Sequence, residues 1–225
     1  MTAIDICNMA LSGLGHERTI ASLDEPGKEA SLCRVWLAQA RQSVLGAAWW
    51  PGLARVTPET DGTPDGAYFR YPSPSCGQSL RLEALAPDGG PADIAAADRG
   101  SLLLALPRAR FRYVTDHEHP DGWPPRVREA VAAELAALIA YALTGRAQTA
   151  ADARASALDA LARARAEARN HSMLEAAKPL IKWMNENCHP HCTAHVDQTG
   201  VELTEGVATA QTAEFLRDRL PGSRA

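Results

Sequence analysis

The chain has 225 residues, 46% of them hydrophobic but only 5% aromatic, and carries a formal net charge of −4. That length accommodates one large domain or a domain with an appendage, and an apolar fraction supplied largely by alanine implies a thin core of close-packed helices. The acidic balance argues against a dedicated nucleic-acid binder, which carries a strongly basic face, and nothing approaches the ~20 apolar residues of a membrane span.

The opening "MTAIDICNMALSGLG" has an early acid, no basic leader and an amphipathic pattern, so it reads as a helix and not as a secretory signal. Thr2 is its N-cap, Ile4, Cys7, Leu11 and Leu14 recur at steps of three and four, and Gly13 to Gly15 stop it. The chain's 5 cysteines, an odd and scattered set, do not describe a disulfide framework. Cys7 and Cys33 fall on apolar helical stripes as small buried thiols, consistent with synthesis in a reducing cytoplasm. After the turn-rich "SLDEPGK", a second helix aligns Cys33, Leu37, Ala40, Val44 and Ala48. Trp49-Trp50-Pro51 closes it, since proline lacks the N–H and disfavours helix before itself.

Residues 52 to 120 change character. Leu80 and Leu82 alternate with Ser79, Arg81 and Glu83, and Arg108, Arg110 and Arg112 alternate with Ala109, Phe111 and Tyr113. Period-two patterning between Gly, Pro, Asp and Ser predicts a small antiparallel β-sheet inserted between helices. A third helix follows in "WPPRVREAVAAELAALIAYALTG", with prolines in its first turn, Val127, Val131, Leu135, Leu138 and Ala142 as its inner face, and Gly145 after its end. A fourth, roughly 149 to 170, interleaves alanine with charge and allows an Asp159–Arg163 pair.

Beyond residue 170 the pattern restarts. Ser172 and Glu175 fit a capping box, Leu174, Ala177, Ile181 and Met184 form a stripe, and Pro179 implies a kink or a late helix start. A hairpin turning near Thr199 and Gly200 and a short terminal helix around Phe215 and Leu216 complete the chain. The expected architecture is α+β and mainly helical: an antiparallel bundle over 1–170 with a β insertion at about 52–120, then a small α/β appendage over 171–225.

No phosphate loop, dinucleotide fingerprint, nucleophile elbow or zincin helix occurs, and the carboxylates are scattered, so no enzyme is expected. Two polar clusters offer metal chemistry. "TDHEHPDGW" brings Asp116, His117, Glu118, His119 and Asp121 together, where two imidazoles at H-x-H spacing share a face of an extended chain. "NENCHPHCTAH" could supply zinc with Cys188, His191, Cys192 and His195, stabilising a tail with little core. Opposed to this is the crowding of all four ligands into one run around Pro190. The alternative function is therefore a zinc-binding module or metal-dependent enzyme centred on 188–195. No cofactor is otherwise expected. Trp49 and Trp50 either seal the helix–sheet join or anchor a subunit contact; the Arg108, Arg110, Arg112 row is either a solvated face or one turned to an interface or a polyanion.

The segments "ICNMALSGLG", I-x-S-L-D-E at Ile20 to Glu25, "EA-x-x-C" at Glu29 to Cys33, the long helix ending in Trp, "FRYP", and "WPPRVREAVAAELAALIAYALTG" occur in an order that resembles the tail tubular protein A family. These are head-to-tail adaptors of short-tailed bacteriophages, and the likeness spans about residues 1–170. It implies a structural protein of the virion neck, made in the host cytoplasm, that forms a ring, usually of twelve copies. Its partners would be its own copies, the portal and the next tail component (nozzle or tail tube), with double-stranded DNA passing through the channel without sequence-specific binding. Such a ring closes through heterologous contacts. The appendage departs from that family and looks faintly like short stand-alone phage proteins.

Overall fold

The computed structural model describes residues 1–74, 78–98, 100–188, 190–197 and 201–205. The chain is a mixed α/β protein, with four α-helices and antiparallel sheets among the described residues, and it divides into two compact units, Met1–Ser172 and Met173–Ala225.

In the first unit, α1 (Ala3–Gly13) starts at Thr2, whose hydroxyl accepts from the Asp5 N–H while the Asp5 carboxylate accepts from the Thr2 N–H. This reciprocal cap satisfies two donors that a helix start otherwise leaves open. Asn8 then pins the following loop, donating to the Ile20 carbonyl at 3.0 Å and accepting from the Ile20 N–H at 2.8 Å. Glu29, at the start of α2 (Lys28–Leu45), meets His16 at 2.9 Å and Arg18 at 3.5 Å from the same loop. The "SLDEPGK" stretch is thus a clamped connection. Helix α2 buries Cys33, Leu37, Ala40 and Val44 as its stripe requires. It ends at Leu45, earlier than the tryptophan pair suggests, because the indole N–H of buried Trp50 turns back to the Val44 and Leu45 carbonyls, both at 3.0 Å.

Between α2 and α3 (Pro125–Thr144) the described residues form nine strands in two sheets, where the sequence pattern suggests one. They are β1 (Arg55–Val56), β2 (Thr60–Asp61), β3 (Thr63–Asp65), β4 (Tyr68–Pro72), β5 (Ser79–Leu85), β6 (Pro91–Ala92), β7 (Ile94–Asp98), β8 (Ser101–Leu104) and β9 (Arg108–Thr115). One sheet runs β1-β9-β5-β6, with β2 also on β9; the other runs β3-β4-β8-β7. Tyr71, Leu102 and Leu104 from the second sheet and Ala84, Ala109 and Phe111 from the first form a separate buried cluster between them. Tyr71 meets Phe111 edge-on at 5.3 Å and donates its hydroxyl to the Leu106 carbonyl at 2.6 Å.

The other face of the first sheet joins the main core. Val114 of β9 is buried with residues of α1, α2 and α3, and Leu80 packs against the same cluster. Helix α3 buries Val127, Val131, Leu135 and Ile139, so its stripe advances by steps of four. Ala142, expected inside, is exposed. Gly145 ends the helix in the left-handed conformation at φ 68°, which glycine adopts without a Cβ clash. Helix α4 (Ala147–Asn187) buries Ala157, Ala160, Ala164 and Ala168, the last three in the main core, with Leu161 packed against it.

The second unit contributes a correction. No new helix begins at Ser172: α4 runs unbroken through that position and through Pro179. Glu175 instead bonds Lys178 one turn on, at 2.5 Å. Strands β10 (Cys192–Val196) and β11 (Val201–Glu205) pair antiparallel, while the expected turn near Thr199 and Gly200 and the expected terminal helix around Phe215 and Leu216 lie outside the described residues. Among the described residues, no helix is long and apolar enough to cross a membrane.

The small inter-sheet core sets a test. A Cβ on Gly62 would stand 2.6 Å from the Phe69 Cβ and 2.6 Å from the Tyr71 Cζ. Gly62→Ala should destabilise the protein by about 1–3 kcal/mol, the usual cost of overpacking, read as a lower denaturant midpoint at unchanged slope.

Candidate functional site

The alternation of β9 places Arg108, Arg110 and Arg112 on the face that also carries Val114, so the row runs from solvent into the helical core. Its members accordingly meet different partners. Arg108, the most exposed, pairs with Asp61 at 2.8 Å and reaches Glu59 at 3.9 Å. Arg110 donates to the Pro87 carbonyl at 3.0 Å and keeps a shielded Nε without an acceptor. Arg112, nearest Val114, lies over the Trp49 ring at 4.5 Å. The row spans three separate environments along that face.

Trp49 and Trp50 also part company. Trp50 is 1% exposed, its indole turned back onto the end of α2. Trp49 is half-buried and holds a second cation: Arg81 of β5 lies over the same ring at 4.6 Å. Around this stack opens a cavity of about 530 Å³ lined by Ala47, Trp49, Arg81, Arg112, Arg165 and Arg169, among others. Arg165 donates to the Ala47 carbonyl at 3.1 Å, and Arg81 reaches the same oxygen at 3.4 Å. The Arg81 Nε is shielded from solvent with no acceptor. Burial lowers the Arg112 pKa, with Arg81 adding to the effect and Glu83, its cross-strand partner, opposing it.

Arg81, Arg165 and Arg169 escape a reading by local motif. They come from a strand and a helix far apart in sequence, and one turn of α4 separates the last two. The available signal was Arg165 and Arg169 at i,i+4 on an otherwise alanine-lined helix, a spacing that puts like charges side by side.

The polar cluster before α3 is accounted for by structure. Asp116 accepts from the Arg41 Nε at 2.6 Å, from its Nη2 at 2.8 Å and from Gln42 at 2.8 Å. Asp121 pairs with the N-terminal ammonium at 3.1 Å, and the His117 carbonyl accepts the Trp123 indole N–H at 3.0 Å. Glu118 reaches Arg41 at 4.0 Å, and His119 is exposed before the short 3-10 turn Pro120–Gly122. These side chains tie α2 and the N-terminus to the entry of α3.

In the second cluster, Cys188 follows α4 and His191 precedes β10, while Cys192 and His195 both lie on β10. Three positions apart on a strand, Cys192 and His195 point to opposite faces: Cys192 shares a face with Ala194 and Val196, His195 with Thr193 and its cross-strand partner Glu202. Gathering both on one ion requires breaking that pairing. Among the described residues, no three His, Cys, Asp or Glu side chains come together in a way that could hold a metal ion.

The second unit's surface is apolar to an unusual degree. None of its described residues is buried. On α4, Met173, Leu174, Ile181 and Trp183 are exposed, as are Val196, Val201 and Leu203 of the hairpin. Val196, Val201 and Leu203 share one hairpin face with Ala194, since Ala194 pairs with Leu203 and Val196 with Val201.

No family model matches this chain, and no curated protein matches it.

The Asp116 site yields a pH test. Burial alone would raise its pKa, but hydrogen bonds from Arg41 and Gln42 outweigh burial and hold it below the ordinary carboxylate value of 3.8. A lowered folded-state pKa contributes stability that is present above the unfolded pKa and lost as pH falls through the folded one. Asp116→Asn should therefore cost about 1–3 kcal/mol near neutrality, the usual scale for hydrogen bonds to a charged group. The gap from the parent should close below pH 3.8, as measured by urea denaturation across acid pH.

Proposed function

We propose that this chain is a structural assembly protein: a subunit of a homo-oligomeric ring in the neck of a short-tailed bacteriophage, joining the portal to the next tail component around a channel for DNA. In this reading α1 to α3 and the first part of α4 form a helical bundle carrying the two-sheet insertion. The second unit is the element that engages a neighbouring subunit.

The observation that carries the reading is the second unit's surface. A two-stranded hairpin is marginally stable by itself in water, and this one presents Val196, Val201 and Leu203 on a single face while no described residue around it is buried. Contiguous exposed apolar side chains mark a surface that another molecule covers. In the first unit, Val35 of α2, Tyr141 of α3 and Leu158 of α4 are each more than 60% exposed, leaving apolar positions on several outer faces. A ring needs two different faces per subunit, and lasting contacts of that kind bury ~2,000 Å² or more in total. Order and composition of the N-terminal segments, which resemble the adaptor family, supply the identity of the assembly.

Light scattering on the purified full-length chain, alone and with a portal ring, tests this. The expected result is a large closed oligomer, formed spontaneously or on the portal, and its loss in Ile181→Ser/Trp183→Ser, two exposed positions whose replacement removes no core. A chain that stays monomeric at all concentrations, ignores the portal and carries one zinc per molecule by elemental analysis would reverse the reading in favour of residues 188–195.

A further inference from the structure

We propose that the cavity beside Trp49 is a binding site for a ligand bearing two or more phosphoryl groups, held by Arg81, Arg112, Arg165 and Arg169. This goes beyond the assembly role and does not depend on it.

The first argument is the imbalance of charge. Arg18, Arg34, Arg41, Arg70, Arg108, Arg126 and Arg163 each have a carboxylate within 4.0 Å. None of the four arginines lining this cavity has such an ion pair among the described residues, and no Asp or Glu lines it. Glu83, across the strand pair from Arg112, offsets part of that arginine's charge.

The second argument is an excess of donors. Each guanidinium offers five N–H groups and accepts none, and Ser172 also lines the cavity. The Ala47 carbonyl serves both Arg81 and Arg165, and the shielded Arg81 Nε has no acceptor among the described residues. Trp49 holds Arg81 and Arg112 over a single ring, so these two cations are fixed no further apart than the sum of their distances to it. Their forks are placed in advance, which reduces the ordering cost of binding.

The third argument selects the anion. A single carboxylate brings one negative charge and two oxygens, whereas a phosphoryl group carries ≈ −1.5 to −2 and three acceptor oxygens suited to arginine forks. The cavity, at about 530 Å³, lies in the size range of small-molecule sites and exceeds what one phosphate fills. A diphosphate or a run of backbone phosphodiesters matches both charge and size.

Calorimetric titration of the full-length chain with inorganic pyrophosphate, in low-salt buffer free of phosphate, tests the site. The result expected is saturable binding at one per chain. It should weaken at least about tenfold in Arg165→Gln/Arg169→Gln, both exposed on α4, and recover in Arg165→Lys/Arg169→Lys only in part, because lysine keeps the charge but not the fork. Arg154→Gln/Arg163→Gln, which removes the same charge from α4 outside the cavity, should bind as the parent does. Competition with a short DNA duplex identifies the source: displacement of pyrophosphate points to a nucleic-acid backbone, and its absence to a free phosphate compound. Absence of saturable binding, an equal loss in the control pair, or tighter binding of an acidic peptide than of pyrophosphate would overturn the proposal.

Discussion

The architecture of the first unit depends on β9, a strand that serves two cores at once. Its odd-numbered positions Ala109 and Phe111 enter the cluster between the sheets, while Val114 enters the helical core. A shift of one residue in its register would exchange these faces, exposing Phe111 and driving Arg110 and Arg112 into the inter-sheet cluster. The pairing is held from both sides, by Ser79 to Leu85 of β5 and by Arg55 and Val56 of β1. Thr57 adds a side-chain bond to the Phe111 N–H at 3.0 Å. Because that register is fixed, the same strand positions Arg112 beside Trp49, so the cavity is a consequence of the fold's central constraint.

The sequence made the helices legible wherever a stripe of apolar residues had a sharp boundary. Thr2 and Gly145 act as the cap and stop that their chemistry implies, and α2 buries Cys33, Leu37, Ala40 and Val44 of its stripe, while Ala48 falls beyond its end at Leu45. Errors arose where one signal had two physical meanings. Ser172 and Glu175 have the spacing of a capping box, yet in an alanine-rich, charge-rich segment the same residues are acceptable helix-interior surface positions, and α4 continues through them. Pro179 removes one intrahelical donor but sits where the helix is exposed, so solvent can serve the groups it disrupts. The short runs between residues 52 and 120 gave strand identity but not sheet number. Alternation states which residues share a face, and only the packing of Tyr71 on Phe111 states that two sheets meet there.

The candidate surfaces were legible in type more than in grouping. Trp49 and Trp50 are adjacent, so composition gives them equal weight; the backbone turn after α2 sends one indole to helix carbonyls and leaves the other to stack cations. The cysteine and histidine cluster is dense in sequence but divided in space, because strand pleat alternates faces. Density along the chain is a poor guide to density in space once a strand begins, whereas i,i+4 spacing on α4 preserves neighbours. This is why Arg165 and Arg169 end up together and Cys192 and His195 do not.

Grouping four guanidiniums without carboxylates has an energetic consequence that Trp49 offsets only in part. Two unit charges at most about 9 Å apart repel by at least roughly 2 kcal/mol at an effective dielectric near 20. Each cation–π contact returns ~0.5–2 kcal/mol, depending on desolvation, so the indole can balance Arg81 against Arg112. It does nothing for Arg165 and Arg169, which are exposed on α4 and add to the same field. Elsewhere the protein neutralises cations locally, as with Arg41 on Asp116 or Arg70 on Asp65, so a local solution was open to this sequence. A chain with a net charge of −4 has acids to spare, and none lines this cavity. The unspent positive charge is therefore a feature of the site itself, and an anion from outside the chain is the simplest group that completes it.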